Sequence, residues 1–203
     1  MFLKSDSDLK NQLPQTEGPI SEILLHSCCA PCSGAILECL MQNGIAPTIF
    51  YFNPNIFPQE EYEIRKSENQ RHAKSLGLKF VDADYGHAEW IESVRGLEEQ
   101  PERGSRCLQC FKYRLLKTAE YAQANGFKVF TTTLFSSRHK DFNQITEAGN
   151  DAALKYPQTI FWVKDWRKNG LGERAIQISK ENNFYRQRYC GCEFAQNLDR
   201  TKR

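Results

Sequence analysis

The chain has no apolar run near the ~18 residues that a membrane-spanning helix needs. Residues 1–18 are polar and lack the apolar core of a secretory signal, so a cytosolic protein with a disordered leader over residues 1–20 is expected. Charge of one sign is also missing: 27 Lys and Arg stand against 25 Asp and Glu, a formal net charge of +2. That balance excludes a protein that coats polyanions with its whole surface, and leaves room for a local basic face. There is no internal repeat and no low-complexity segment. No Walker phosphate loop is present, no G-x-G-x-x-G follows an apolar strand, and no Ser-His-Asp spacing supports a hydrolase triad. Triphosphate, nicotinamide and flavin signatures are therefore absent. The 203 residues suffice for one domain with a real core.

What the chain does have is cysteine. Seven of its eight cysteines fall in three groups: Cys28/Cys29/Cys32, Cys107/Cys110 and Cys190/Cys192. Without a secretion signal, clustering of this kind points to metal binding or catalysis rather than a disulfide framework. Cys39 stands apart inside a helical pattern and reads as a small core residue. The first group follows the apolar run Ile23–Leu25, which reads as a buried strand. An apolar helical face begins after it, at Ser33, with Ile36, Leu37, Leu40 and Met41, and stops at Asn43-Gly44. These thiols thus sit on a strand-to-helix turn, where open α/β sheets bind ligands and where helix N-termini favour thiolates.

Strand and helix patterns then alternate. Strands are predicted at Pro47–Tyr51, Leu78–Val81, Lys128–Thr132 and Ile160–Val163. Helices are predicted at Gln59–Leu76, Ala88–Val94, from Cys107 to about Asn125, from Asp141 as a cap to about Tyr156, and near Arg174–Lys180. About five such alternations predict an α/β fold, a mostly parallel sheet with flanking helices and a single domain over residues 21–195. Cys28-Cys29, the Asn53 loop, Asp82/Asp84 and the Ser136 turn would then share the carboxyl edge of the sheet.

Three readings of the thiols stay open on spacing alone. Cys28 or Cys29 with Cys32, Cys107 and Cys110 would close a tetrahedral zinc site and make a binding module. A 4Fe-4S cluster also takes four thiolates and better suits two adjacent cysteines. Cys190 and Cys192, across one glycine, would form a strained and labile disulfide, hence a redox pair or a thiol–disulfide oxidoreductase; otherwise they are two more metal ligands.

Five blocks resemble the QueH-type epoxyqueuosine reductases: His26–Cys32, Tyr51–Ile56, Arg106–Phe111 with Arg114-Leu115, Thr132–Leu134 with Ser137 and Lys140, and Tyr185–Cys192. The resemblance implies a Rossmann-like sheet related to the nucleotide α-hydrolase and ATP-pyrophosphatase group. Cys28-Cys29-Ala30-Pro31-Cys32 stands where those enzymes carry a glycine-rich phosphate loop, which argues against ATP use. It also implies reduction of epoxyqueuosine to queuosine at the anticodon wobble position of tRNA, with an unidentified electron donor and no membrane. By motif match, Cys28, Cys29, Cys107 and Cys110 would hold a 4Fe-4S cluster. Cys190 and Cys192 would be the redox-active pair, and Cys32 a ligand of a second, mononuclear iron. A metal next to the substrate would act as Lewis acid on the epoxide oxygen. His26, Asp82, Asp84, Tyr85 and His139 are the expected proton donors by their place on the edge. From residue 164 onward, ten Lys and Arg face five Asp and Glu. Tyr185, Arg186, Arg188 and Tyr189 interleave rings with guanidiniums, the expected contact for unstacked anticodon bases. The plainer expectation for that stretch is a solvated tail with its aromatics in the core. Residues 196–203 read as a basic tail.

Overall fold

The computed structural model describes residues 9–195. Residues 1–8 of the expected leader and the basic tail at 196–203 lie outside the described residues. Five strands form one parallel sheet in the order β3-β2-β1-β4-β5. They are β1 (Glu22–His26), β2 (Ala46–Tyr51), β3 (Phe80–Asp82), β4 (Val129–Thr132) and β5 (Ile160–Phe161). Six helices connect and flank them: α1 (Ala30–Gln42), α2 (Gln59–Ser75), α3 (His87–Ser93), α4 (Ser105–Ala124), α5 (Phe142–Lys155) and α6 (Leu171–Glu181). The expected Rossmann-like fold is what the chain adopts.

The strand order follows from the middle outwards. β1 is central and pairs in parallel with both β2 and β4. A strand covered on both faces carries a continuous apolar run, and Ile23, Leu24 and Leu25 are fully buried. The chain leaves β1 in one direction through β2 and β3, then returns to β4 on its other side. Right-handed crossovers in opposite directions put α1 and α2 on one face and α5 on the other. Between β1 and β4 the order reverses, and in open α/β sheets that crevice is where ligands bind.

Two boundaries differ from expectation in ways that matter. α1 begins at Ala30, not Ser33. Pro31 fits the first turn, where its missing N–H had no intrahelical partner to lose. Cys29 therefore becomes the N-cap and Cys32 falls in the first turn. The second departure lies in the leader. Leu9 is fully buried, the turn Lys10–Gln12 is a short 3-10 helix, and the Trp162 indole donates to the Gln12 carbonyl at 2.7 Å. Elsewhere the reading of caps holds: the Asp141 carboxylate accepts from the backbone N–H of Asn143 and Gln144 at 2.9 and 3.0 Å. α5 lies so close over β5 that a Cβ on Gly149 would stand 2.0 Å from Phe161 Cε1.

Candidate functional site

The turn after β1 is fastened from both neighbouring strands. Cys28 N–H donates to Thr133 Oγ1 at 3.0 Å, just past the end of β4, and the Thr133 hydroxyl donates to Cys28 Sγ at 3.3 Å. From the β2 side, Asn53 Nδ2 donates to the Ser27 carbonyl at 2.9 Å, and its Oδ1 accepts from Arg114 of α4. Asn69 of α2 donates to Ser27 Oγ at 2.7 Å. Fixed in this way, Cys28, Cys29 and Cys32 bring their sulfurs within 4.8 Å of one another at the switch point. Cys28 and Cys29 Sγ are 3.8 Å apart. Hydrogen bonds from Cys29 and Cys32 hold the Cys28 thiol well below its ordinary pKa; the same bonds push Cys29 up, and Cys32 to about 12.

The other four clustered cysteines meet in an adjoining hollow. Cys107 and Cys110, in the first turns of α4, line a hollow of about 30 Å³ together with Cys190 and Cys192. Burial pushes Cys107 up to about 11 and also raises Cys110. The Cys192 hydrogen bond pulls Cys190 down to about 6 and raises Cys192 in turn. The Cys190–Cys192 segment belongs to no helix or strand of its own, so other residues hold it. Arg65 of α2, 3% exposed, donates from Nη1 to the Cys190 carbonyl at 3.2 Å and from Nη2 to the Tyr189 carbonyl at 3.3 Å. Phe57 N–H donates to the Gly191 carbonyl at 2.8 Å. Gly191 has φ 102°. A Cβ there would stand 2.8 Å from Ile56 Cγ1, so only glycine makes this turn.

A wider cleft of about 950 Å³ opens over these thiols, with Cys28, Cys32 and Cys190 among its lining. Asn55, Arg114, His139, Lys140 and Cys190 line both hollows, so the two are neighbours with a shared wall. The cleft is strongly one-signed. Arg65, Arg114, Arg138, Lys140, Arg167, Arg186 and Arg188 line it, and Glu173 is the one acidic residue in that lining. A cleft of one sign focuses its field and concentrates ligands of the opposite charge.

The residues expected from sequence divide accordingly. Six of the seven clustered cysteines line these two hollows, and Cys29 sits with its sulfur within 4.8 Å of those of Cys28 and Cys32, while Cys39 is buried in α1 as read. Arg186 and Arg188 face the cleft, but the Tyr185 hydroxyl donates to Glu61 Oε2 at 2.9 Å, and the Tyr189 hydroxyl donates to the Phe57 carbonyl. These two rings pin the segment to α2 and to the loop after β2. Of the expected proton donors, His139 lines both hollows. His26 is fully buried and both its nitrogens are engaged, Nε2 donating to the Phe52 carbonyl at 3.1 Å and Nδ1 accepting from the Thr132 hydroxyl at 2.8 Å. Burial holds it neutral, with its pKa lowered to about 3. Asp82 pairs with Lys66 at 3.2 Å, and the Tyr85 hydroxyl donates to the Ile56 carbonyl. Sequence reasoning did not single out Arg65, Arg114 or Gln187 as site residues, although Gln187 Nε2 donates to Cys29 Sγ at 3.2 Å.

An all-sulfur donor set suits zinc or an iron–sulfur group, and hard-cation sites built of oxygen are a poor match. A Rossmann-like sheet with its thiols gathered at the switch point defines the class, an α/β protein with a thiol-built site suited to a soft metal. Comparison with known proteins narrows it. The family model for epoxyqueuosine reductase QueH matches residues 23–198. An epoxyqueuosine reductase QueH of Haemophilus influenzae is 51% identical over 175 residues, covering 86% of this chain and 71% of the relative. The Acinetobacter baylyi protein of that name is 46% identical over 187 residues, covering 92% of this chain and 84% of the relative. That of Thermotoga maritima is 34% identical over 176 residues, 85% of this chain and 89% of the relative. The chain belongs to the QueH family of epoxyqueuosine reductases.

Proposed function

We propose that the chain removes the epoxide oxygen of epoxyqueuosine at the anticodon wobble position of tRNA. The epoxide takes up two electrons and two protons and leaves as an alkene and water. The observation that carries this reading beyond the family match is the cleft itself, a cationic vestibule with thiols on its floor. Arg186, Arg188, Arg138 and Lys140 would hold the phosphates on either side of the wobble nucleotide. A nucleotide swung out of its stack reaches a recessed floor in this manner.

Cys28, Cys29, Cys107 and Cys110 would hold a 4Fe-4S cluster, and Cys32 a neighbouring mononuclear iron. When bound, these groups supply single electrons and a Lewis acid for the departing oxygen. The remaining steps belong to the chain. Cys190 and Cys192 form the redox-active pair: two thiols becoming one disulfide release two electrons and two protons, which balances the reduction. A donor outside the chain restores the dithiol. Arg65 and Gly191 keep the pair beside Cys107 and Cys110. His139, on the shared wall, relays one of the two protons released by the pair to the departing oxygen. No helix among the described residues is long and apolar enough to cross a membrane. A cytosolic location, where tRNA is met, belongs to the same reading.

The test is nucleoside analysis by mass spectrometry. Anaerobically prepared protein, epoxyqueuosine-containing tRNA and a strong reductant should give a nucleoside lighter by one oxygen. Unchanged epoxyqueuosine, with a protein that retains its fold and its metal, refutes the proposal.

A further inference from the structure

Three N–H donors around the smaller hollow have no partner: Trp90 Nε1, Arg106 Nε and Arg114 Nε. Their side chains belong to residues only 0, 3 and 2% exposed, and all three line the hollow with Cys107, Cys110, Cys190 and Cys192. A buried donor without an acceptor destabilises the fold unless something else fills that role. Three of them around one thiol-lined space make that space electropositive in a low-dielectric interior.

We infer that Trp90 is a positioning residue for the sulfur centre: its indole N–H, unpartnered in the thiol-lined hollow, is the donor to a sulfur of the group that Cys110 ligates once that group is bound, and it favours the reduced, more negative state of that group. The inference rests on the reading of Cys110 as an iron–sulfur ligand.

Three observations support it. Trp90, Cys110 and Cys192 are buried in one small apolar cluster, apart from the main core. Arg114 Nη1 stands 4.0 Å from Cys110 Sγ, so a second donor covers the same sulfur. The indole is held in place, stacked at 5.7 Å on His87 and at 6.1 Å on Phe194, so it does not swing away to another acceptor.

The physical consequence is a shift in potential. One-electron reduction adds one negative charge, which spreads onto the sulfurs, and hydrogen bonds to those sulfurs raise the potential. Removing one donor to a charged acceptor weakens the preference for the reduced form about tenfold, or about 59 mV for a one-electron couple.

The test compares the unaltered protein with Trp90→Phe and with a form carrying benzothienylalanine at position 90. The second keeps the shape of the indole and replaces its N–H by sulfur, so it covers the case in which Trp90→Phe fails to fold. Each holoprotein is titrated with dithionite and followed by visible and electron-paramagnetic spectra, with iron and sulfide measured alongside. The expected result is equal iron and sulfide with a midpoint lower by about the amount given. Equal iron and sulfide with an unmoved midpoint overturns the inference and leaves the proposed function standing. An unaltered protein that binds no iron and no sulfide overturns both.

Discussion

Replacing Arg65 by lysine should loosen the Cys190–Cys192 segment while leaving the sheet intact. The guanidinium serves three acceptors at once: Glu61 Oε1 at 2.8 Å from Nε, the Cys190 carbonyl at 3.2 Å and the Tyr189 carbonyl at 3.3 Å. Lysine keeps the charge but loses the planar fork, so it satisfies the carboxylate and abandons the carbonyls. Hydrogen bonds from a charged donor contribute about 1.5–3 kcal/mol each. The tail keeps its other ties, from Phe57 N–H to Gly191 and from Gln187 to Cys29. A net loss of about 2 kcal/mol of local stability is therefore expected, a roughly thirtyfold larger open population. Site-resolved alkylation of the metal-free, reduced protein reads this directly. Cys192, 7% exposed, should react about thirtyfold faster in Arg65→Lys. Cys39, 3% exposed within α1, should react at its original rate because it opens only with the fold. Equal rates at Cys192 in both proteins would refute the clamp. A matching acceleration at Cys39 would show a general loss of stability instead.

Gly149→Ala should cost about 1–3 kcal/mol in urea unfolding, because the new methyl meets the Phe161 ring and overpacks the α5–β5 contact; an unchanged midpoint would mean that α5 moves freely off the sheet. His72 is buried with both ring nitrogens unpartnered, and burial lowers its pKa. Its folded pKa lies below the unfolded value near 6.5, so stability is whole above about pH 6.5 and falls as pH drops toward the folded value. His72→Phe should flatten that acid limb, as read by urea midpoints between roughly pH 7.5 and roughly pH 5.5. For the cleft, Arg186→Ala with Arg188→Ala should weaken binding of a tRNA anticodon stem-loop and reduce the salt dependence by about 0.7 per lost contact. Affinity and salt slope unchanged in titrations by fluorescence anisotropy would remove both arginines from the interface.

The sheet was legible because its physics is local. Ile23–Leu25 and the apolar run in β2 are short, continuous and bounded by turn residues, which is how strands buried on both faces read. The strand order had no such signal, since it depends on which crossover turns which way. The cysteine groups were legible by clustering, and their meeting place followed once β1 was central. What spacing alone did not reveal is the polar support. α2 buries Glu61, Arg65 and Asn69 along with Tyr62, a charged and polar face turned inward onto backbone carbonyls and a hydroxyl. A periodicity reading looks for apolar residues on the buried side and passes over such a helix. The same holds for His26: a histidine at a strand end beside thiols invites a catalytic role, and only the Thr132 and Phe52 partners show that it braces the sheet. Tyr185 and Tyr189 carry the same lesson, since the sequence pattern does not tell a ring that stacks on a base from one whose hydroxyl ties down the chain.

The central claim is that the clustered thiols hold a redox-active iron–sulfur centre beneath a tRNA-binding cleft. Its most direct test is the iron, labile sulfide and zinc content of protein purified without oxygen, together with the visible spectrum. The account predicts a brown protein with several irons and sulfides per chain, and iron in excess of sulfide from the second metal. A colourless protein carrying zinc alone would contradict it.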